Sequence, residues 1–435
     1  MDDARAAMDT TAADRLNEAC FCTTLDRRLL NQTLDATVGE PGFGEALGET
    51  HPWLFANSPV FLQADLLRQM SGVVAAVEAA GPLPDYRAAA LAWAPESARP
   101  DPGPLGVFMG YDFHLSADGP KLIEINTNAG GAFLNALMAR AQHACCGDDL
   151  LDRSEAAAEV FEGQVARMFR EEWRRQGRAG APRRIAIVDD DPGSQPLRGE
   201  FRLAQALLRT SGLETVIADP QELKLQGDQL LCGGEPVDLV YNRLVDFWLE
   251  EPGHAVLRRA YDTGRVVVTP NPHVYALYAD KRNLTLLSDR EQLAAWGLAS
   301  HHGETLARAV LRTVRLTPNN ADRLWSERNH WFFKPARGHA SKAAYRGAKL
   351  TRRVWGEILA ADYVAQAYAP PGERVVRRDG EPVRLKVDVR LYTYGGSVLL
   401  TAARLYHGQT TNMRTPGGGF APVLVLTPPP AAGVA

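Results

Sequence analysis

Read for periodicity alone, the chain falls into three stretches. Between residues 58 and 80, apolar side chains recur at helical spacing (Leu62, Leu66, Leu67, Met70, Val73, Val74, Val77) behind a Ser-Pro start signal, which predicts an amphipathic helix. The first hundred residues read throughout as helices with punctuation, closed by a Pro-rich break at 94–104. Two β-rich runs then flank Ser-Ala-Asp-Gly at 116–119, and a second helical stretch covers 154–175. Residues 176–182, with two glycines and a proline, mark a boundary. Beyond it, short buried runs alternate with helical pattern: strands at 184–189, 214–218, 238–242 and 265–269, and a helix at 199–210. Strands joined by helical crossovers predict a mostly parallel sheet. After residue 276 the chain turns richer in strands, Gly-rich turns, and Lys or Arg beside glycine. The expected organisation is α/β with α+β elements. Residues 1–180 hold helices plus the hairpin, 183–275 a small Rossmann-like unit, 276–428 the strand-rich remainder, and 429–435 a disordered tail.

Length supports this division, since 435 residues exceed one compact core. A formal net charge of -4 argues against a partner held by phosphate neutralisation, so no nucleic acid is expected. The basic run Arg174, Arg175, Arg178, Arg183, Arg184 reads as a solvated helix end. No apolar run reaches the roughly 18 residues of a membrane span, and the polar N-terminus has no signal-peptide core. A cytoplasmic chain without a membrane partner is expected. The five cysteines (Cys20, Cys22, Cys145, Cys146, Cys232) lack zinc-type spacing to histidines, and Cys20 and Cys22 are expected simply to pack.

The chemistry concentrates in the hairpin at residues 106–133. A two-residue loop at Asp118-Gly119 would pair Phe113 with Glu124. A three-residue loop, 117–119 with Gly119 left-handed, pairs Asp112 with Glu124 instead. The second register is expected, because strand period then sets Asp112, Glu124 and Asn126 on one face. Ile123 and Ile125 fall on the opposite, core face. Two carboxylates and an amide oxygen converging in this way form a hard-oxygen cluster suited to magnesium.

Asp112 followed by Glu124-Ile-Asn126 resembles the metal-binding Asp…Glu-x-Asn of ATP-grasp ligases. Glu-Ile-Asn-Thr at 124–127 looks more like the eukaryotic-type glutathione synthetases, an arrangement shared with glutathionylspermidine synthase-like chains. Those are circularly permuted, with the metal hairpin ahead of the substrate domain and the ATP-binding lid behind it. The resemblance implies an ATP-grasp fold with ATP and two Mg2+ ions as cofactors. It makes Asp112, Glu124 and Asn126 the metal ligands, Lys281 and Lys334 the two ATP lysines, and residues 338–347, with Gly338 and Ser341, the phosphate-covering loop. Lys334 ends an aromatic strand beside this Gly/Ser loop, a placement from which it would reach nucleotide phosphates.

Gln366 and Ala367 resemble the hinge whose backbone meets adenine, and Glu373 the group that meets ribose. Asp388-x-Arg390 and the following Arg404 resemble the family's Asp-x-Arg strand and its partner, where fixed guanidinium forks clamp the transferred phosphoryl group. The segment 412–421 resembles the Gly-rich loop over the acyl phosphate, bringing Asn412, Arg414, Gly418 and Gly419 to the substrate. Arg243 matches the family's substrate-domain arginine, and Asn128 is placed with it. Two positions depart from the family. Ala129 and Gly131 stand where glutathione synthetases have Ser-x-Ser, and Gly338 stands where they have a glutamate metal ligand.

The function expected is therefore a Mg-ATP-dependent, ADP-forming carboxylate–amine ligase working through an acyl phosphate, with a substrate other than that of glutathione synthetase. Its partners would be small-molecule carboxylates and amines (amino acid, peptide or polyamine), and a homodimer is the assembly considered. The alternatives are a small-molecule kinase on the same fold, a non-catalytic nucleotide-binding regulator, and a nicotinamide dehydrogenase. The last is disfavoured because no Gly-x-Gly-x-x-Gly follows the first strand of the parallel unit.

Overall fold

The computed structural model describes residues 11–143, 149–338 and 343–426, with backbone alone over 149–158. The strands in chain order begin with β1 (Val60–Gln63), β2 (Met109–Ser116), β3 (Gly119–Asn126), β4 (Arg184–Val188) and β5 (Glu214–Ala218). A small meander follows, β6 (Leu223–Gln226), β7 (Gln229–Cys232) and β8 (Glu235–Val237), and then β9 (Leu239–Asn242) and β10 (Val267–Thr269). The last third adds β11 (Thr313–Arg315), β12 (Trp331–Pro335), β13 (Tyr345–Arg346), β14 (Tyr363–Ala367), β15 (Gly372–Arg378), β16 (Glu381–Tyr394), β17 (Ser397–Tyr406), β18 (Gly419–Ala421) and β19 (Val423–Leu426).

Three sheets carry the architecture. The largest has the order β18-β17-β16-β2-β3, with β15 also on β16. Its long central strand alternates strictly. Val387, Val389 and Leu391 enter an apolar core with Tyr111, Phe113 and the helix Ala64–Ala80, while Lys386, Asp388 and Arg390 face the other way. The second sheet is parallel, β10-β9-β4-β5, and packs against the helices Ala132–Arg140 and Asp149–Arg175. The third is antiparallel, β11-β14-β12-β13, over its own core of Trp331, Phe333, Trp355 and Ile358.

The parallel unit matches its predicted strands to within two residues at each end, but the meander β6–β8 was not foreseen. The helix expected from residue 58 starts at Ala64. Residues 60–63 instead form β1, which pairs in parallel with β19 and ties the two ends of the chain together. Cys22 and Cys232 are free thiols, and Cys20 is buried. Cys145, Cys146 and the tail lie outside the described residues. No helix among the described residues is long and apolar enough to cross a membrane.

One buried carboxylate joins the sheets. Glu172 is fully enclosed and accepts from the backbone N–H of Leu105 (2.8 Å) and Gly106 (3.0 Å), the Tyr394 hydroxyl (2.9 Å) and the Thr269 hydroxyl. Both of its oxygens are thus filled twice over, by donors from the segment before β2, from β10 and from β16. Glu172→Gln turns an N–H donor toward this ring of donors, and the variant should lose about 2–4 kcal/mol of stability in urea unfolding. An unchanged midpoint would show that the junction is not under load.

Candidate active site

The large sheet and the antiparallel β11–β14 sheet enclose a cavity of about 1050 Å³. Its charged end begins with the hairpin. Asp112 does pair with Glu124, and Gly119 does take a left-handed φ of 93°, but the turn has two residues, since Ser116 faces Gly119. The missing residue reappears as a bulge: Phe113 pairs with Leu122 and Asp112 with Glu124, leaving Ile123 extra. The bulge corrects one expectation. Ile123 lines the cavity beside Glu124 instead of entering the core, whereas Leu122 and Ile125 are core residues.

Asp112 is buried and accepts from Arg390 through Nε (2.5 Å) and Nη2 (2.6 Å), and it meets Arg404 Nη2 at 2.9 Å. Arg390 lies directly opposite Asp112 on the neighbouring strand, and Arg404 directly opposite Asp388. Arg404 Nε binds Asp388 at 2.6 Å, and the Thr411 hydroxyl binds the other Asp388 oxygen. Burial alone would raise the Asp112 carboxyl, but Arg390 and Arg404 outweigh it and hold it well below the usual range. Asp112 is thus committed to guanidiniums, and the hairpin offers Glu124 and Asn126 to the cavity. The Asn126 amide nitrogen donates to Asp112 (3.2 Å) and Glu124 (3.3 Å), so its oxygen is left as a ligand atom. A carboxylate plus an amide oxygen fits magnesium, which keeps most of its shell for water and phosphate.

Both predicted lysines arrive. Lys281 donates to the Gly338 carbonyl (3.0 Å) and lies 3.8 Å from Glu124. Lys334 donates to the Ile123 carbonyl (2.7 Å) and to Gln366 Oε1 (2.8 Å). Burial pulls Lys334 down to about 8 against the attraction of Glu124, while the two lysines together hold Glu124 below its ordinary value despite burial. Three carboxylates of the cavity lining, Asp112, Glu124 and Asp388, therefore face three lining cations, Lys281, Lys334 and Arg404, while Arg390 pairs with Asp112 outside the lining. Arg346, Lys349 and Lys386 add further positive charge along the cavity wall. The apolar part of the lining is Leu311, Phe332, Ala367, Tyr368, Ala369 and Pro371, with Lys334 over the Phe332 ring and Arg346 over that of Tyr368.

Other expected residues fall elsewhere. The backbone of Gln366 is paired on both sides, and the N–H groups of Ala367 and Tyr368 go to the carbonyls of Arg312 and His330, so the expected backbone hinge has no free donor there. Glu373 is exposed and ion-paired with Arg384 at 3.0 Å, outside the cavity. Arg414 is also exposed and outside it. Asn412 folds its own loop, donating to the His407 carbonyl and accepting from Arg414 N and the Thr415 hydroxyl. Gly418 and Gly419 are packing positions, where a Cβ would lie 2.4 Å from the Leu405 carbonyl and 2.3 Å from that of Trp53. Ser341 lies outside the described residues.

A second group of polar side chains gathers at the carboxyl ends of β4 and β9, where the strand order reverses. Arg243 is buried there. It bonds the Tyr241 hydroxyl at 3.2 Å, its Nε has no partner, and no carboxylate among the described residues lies within ion-pair range. Asn128 reaches the Leu244 carbonyl (3.2 Å), and its Oδ1 is buried without a partner. The structure thus brings Asn128 and Arg243 together as expected. Asp189, pushed up to about 6 by burial, directly follows β4. Gly130 lies between Arg243 and the arginine ladder: a Cβ on it would meet Arg243 at 3.1 Å, and its carbonyl accepts from Tyr392 (2.7 Å) and, at 3.5 Å, from Arg390. The departure from Ser-x-Ser at 131 has a steric cause: a Cβ on Gly131 would meet the Phe420 ring at 2.3 Å, and Gly131 takes a φ of 99°.

Sequence reasoning missed His114, Asp189 and His254. His114 was legible as the residue two beyond Asp112 on β2, and it gives or takes a bond with the Ala369 carbonyl at 2.8 Å. Asp189 was legible as the last residue of a parallel strand. His254 was not, because its partners Asp246 (2.8 Å) and Asp190 (2.9 Å) come from separate loops.

No protein-family model and no curated protein matches the sequence. Solved structures do. A glutathione synthetase-like effector from Globodera pallida, in its apo form, is 15% identical, with a TM-score of 0.53 over 92% of this chain and 98% of that one. A putative gamma-glutamylcysteine synthetase from Methylobacillus flagellatus gives 10% identity and a TM-score of 0.43, over 79% and 84% of the two chains. The ATP-grasp ligase PsnB, with minimal precursor, Mg and ADP, gives 16% identity and a TM-score of 0.28 over 55% and 87%. The fold is the ATP-grasp fold, in the form it takes in the glutathione synthetase-like effector.

Both nitrogens of His254 are committed to carboxylates, and these bonds, Asp246 first, push it up to about 9. Because the folded value exceeds the ordinary 6.5, the lock contributes fully below about pH 6.5 and is lost as pH rises through about 9. After screening at half-exposed Asp190, urea unfolding should show about 1–2 kcal/mol less stability at pH 9.5 than at pH 6, a loss absent from His254→Gln. Parallel pH profiles for the two proteins would refute the lock.

Proposed function

We propose that this protein is a Mg-ATP-dependent carboxylate–amine ligase that releases ADP and phosphate through an acyl phosphate. The observation that carries the reading is the lining of the cavity: lysines and arginines outnumber carboxylates along it, and Leu311, Phe332 and Pro371 supply apolar surface in the same space. A polyanion with a flat apolar head, as in ATP, suits such a space. Lys281 and Lys334 would meet its phosphates from the lid side, while Arg390 and Arg404, locked in place by Asp112 and Asp388, face the transferred group. Magnesium held by Glu124 and Asn126 would neutralise phosphate charge.

Arg243 supports the acid half of the reaction. A buried guanidinium with no carboxylate in ion-pair range among the described residues suits a substrate carboxylate, and Gly130 lies between it and Arg390. The substrate carbonyl would sit between the two arginines, sheltered from water that would otherwise hydrolyse its acyl phosphate. With Gly131 in place of a serine, and no hydroxyl at 129 either, the acid is expected to differ from that of glutathione synthetase. The amine would be an amino acid, peptide or polyamine. Residues 1–180 and 276–428 then form the ATP-grasp halves around a substrate unit at 183–275.

The test is ADP and phosphate release from Mg-ATP against pooled amino acids, peptides and polyamines, with mass spectrometry of the products. Ligation predicts a product one water lighter than its summed substrates. A phosphorylated product without free phosphate would replace this reading with a kinase. Glu124→Gln should lower Mg-dependent turnover on the order of 100-fold while leaving the fold intact, and near-normal turnover in that variant would remove Glu124 from the site.

A further inference from the structure

The loops that leave β4 and β9 carry a cluster of ionisable side chains that the ligase chemistry does not use. They emerge at the carboxyl ends of neighbouring parallel strands, where the strand order reverses, a place at which open α/β sheets bind ligands. Asp190 stands two residues beyond β4, and Asp246, Glu251 and His254 follow β9. One ligand atom from each of Asp190, Glu251 and His254 lies within 4.8 Å of the others. The imidazole is 2% exposed, whereas Asp190 is half-exposed and Glu251 is exposed, so the cluster is anchored inside and open to solvent on one side.

The imidazole is aimed from behind. Asp246, buried, holds Nδ1 at 2.8 Å and also accepts from the backbone N–H of Glu251 at 2.8 Å. That contact turns Nε2 toward Asp190, at 2.9 Å. A carboxylate on one ring nitrogen, fixing its tautomer while the other nitrogen faces outward, is how a metal-ligating histidine is held. Charge points the same way. Three carboxylates crowd one imidazole, and that of Glu251 has no hydrogen bond or ion pair among the described residues. A proton on His254 offsets one of these charges, and a divalent cation offsets two.

We propose that Asp190, Glu251 and His254 bind a divalent transition-metal ion, zinc first among them, with water completing a tetrahedron. One imidazole and two carboxylates are the nitrogen and oxygen ligands that zinc accepts. Zinc spaces tetrahedral ligands about 3.3 Å apart, a separation that small rotations of the two solvent-facing carboxylates reach. The proton bridge between His254 and Asp190 is the metal-free form of the same group, and the ion takes the place of that proton, which leaves to water. The bound ion pins the two loops to each other, and with them Asp189 and Arg243, the first residues after β4 and β9. The site is separate from Glu124 and Asn126 and does not depend on the ligase reading.

The experiment titrates the full-length, EDTA-treated protein with Co2+, followed by visible absorption, and then with Zn2+. The wild type should take up one equivalent of Co2+ with the strong bands of tetrahedral coordination, and one equivalent of Zn2+ should bleach them. Glu251→Gln and Asp190→Asn alter solvent-facing side chains, and each should weaken Zn2+ binding about 10-fold or more. Asp246→Asn, which touches no metal, should weaken it about 10–100-fold by releasing the imidazole. A wild type without the tetrahedral signal, or a signal and Zn2+ affinity unchanged in either Glu251→Gln or Asp190→Asn, overturns the proposal and leaves the cluster as a proton lock alone.

Discussion

The buried ladder Asp388–Arg404–Asp112–Arg390 is the interaction on which the rest of the site depends. Two carboxylates and two guanidiniums are withdrawn from water on one face of the large sheet, with contacts of 2.5–2.9 Å. Such a group is costly to bury and tolerable only when every member is bonded, so its geometry admits little play. Strand register delivers it. Arg390 faces Asp112 and Arg404 faces Asp388 across adjacent strands, while the intervening valines and leucine anchor the opposite face in the core. The forks are thereby aimed before any ligand arrives, and that preorganisation is what electrostatic catalysis requires.

The same ladder changes what the acids are for. Asp112 has the look of a metal ligand in sequence, yet its oxygens are taken by Arg390 and Arg404, and Glu124 and Asn126 are the members of that trio with no guanidinium bonded to them. Charge at the far side of Gly130 follows a different logic. Arg243 is held by Tyr241 and by the rings of Phe201 and Tyr241, at 5.9 and 5.3 Å, and by no carboxylate within ion-pair range among the described residues. One arginine pair is internally neutralised and the other site is left open, so the two groups differ in how strongly they ask for an external anion.

Much of this was legible in the chain. Alternating strands and helices gave the parallel unit, and the i, i+2 pattern gave the acidic face of the hairpin and the Asp388–Arg390 face of β16. The Asp112–Glu124 register was correctly anticipated for a mistaken reason, since turn rules placed in the loop a residue that the structure places in a bulge. What failed shares one physical cause. The environments of Glu373, Gly418 and Gly419 are set by tertiary pairing, through Arg384, Leu405 and Trp53 in turn, and a local glycine pattern does not distinguish a mobile loop from a backbone pressed against Leu405 and Trp53. His254 escaped notice for the same reason.

The order of elements along the chain has a consequence for how the molecule is made. Asp112 and Arg390 are separated by 278 residues, with the whole parallel unit between them, and β1 waits for β19 at the far end. During synthesis the hairpin leaves the ribosome long before either arginine exists, and the parallel unit, whose four strands close among themselves, can fold in that interval. Until then the acidic strand has β3 beside it but lacks its counter-charges and its second neighbour, β16. Assembly of this charged face therefore waits for the last third of the chain, and meanwhile β2 presents an unpaired edge.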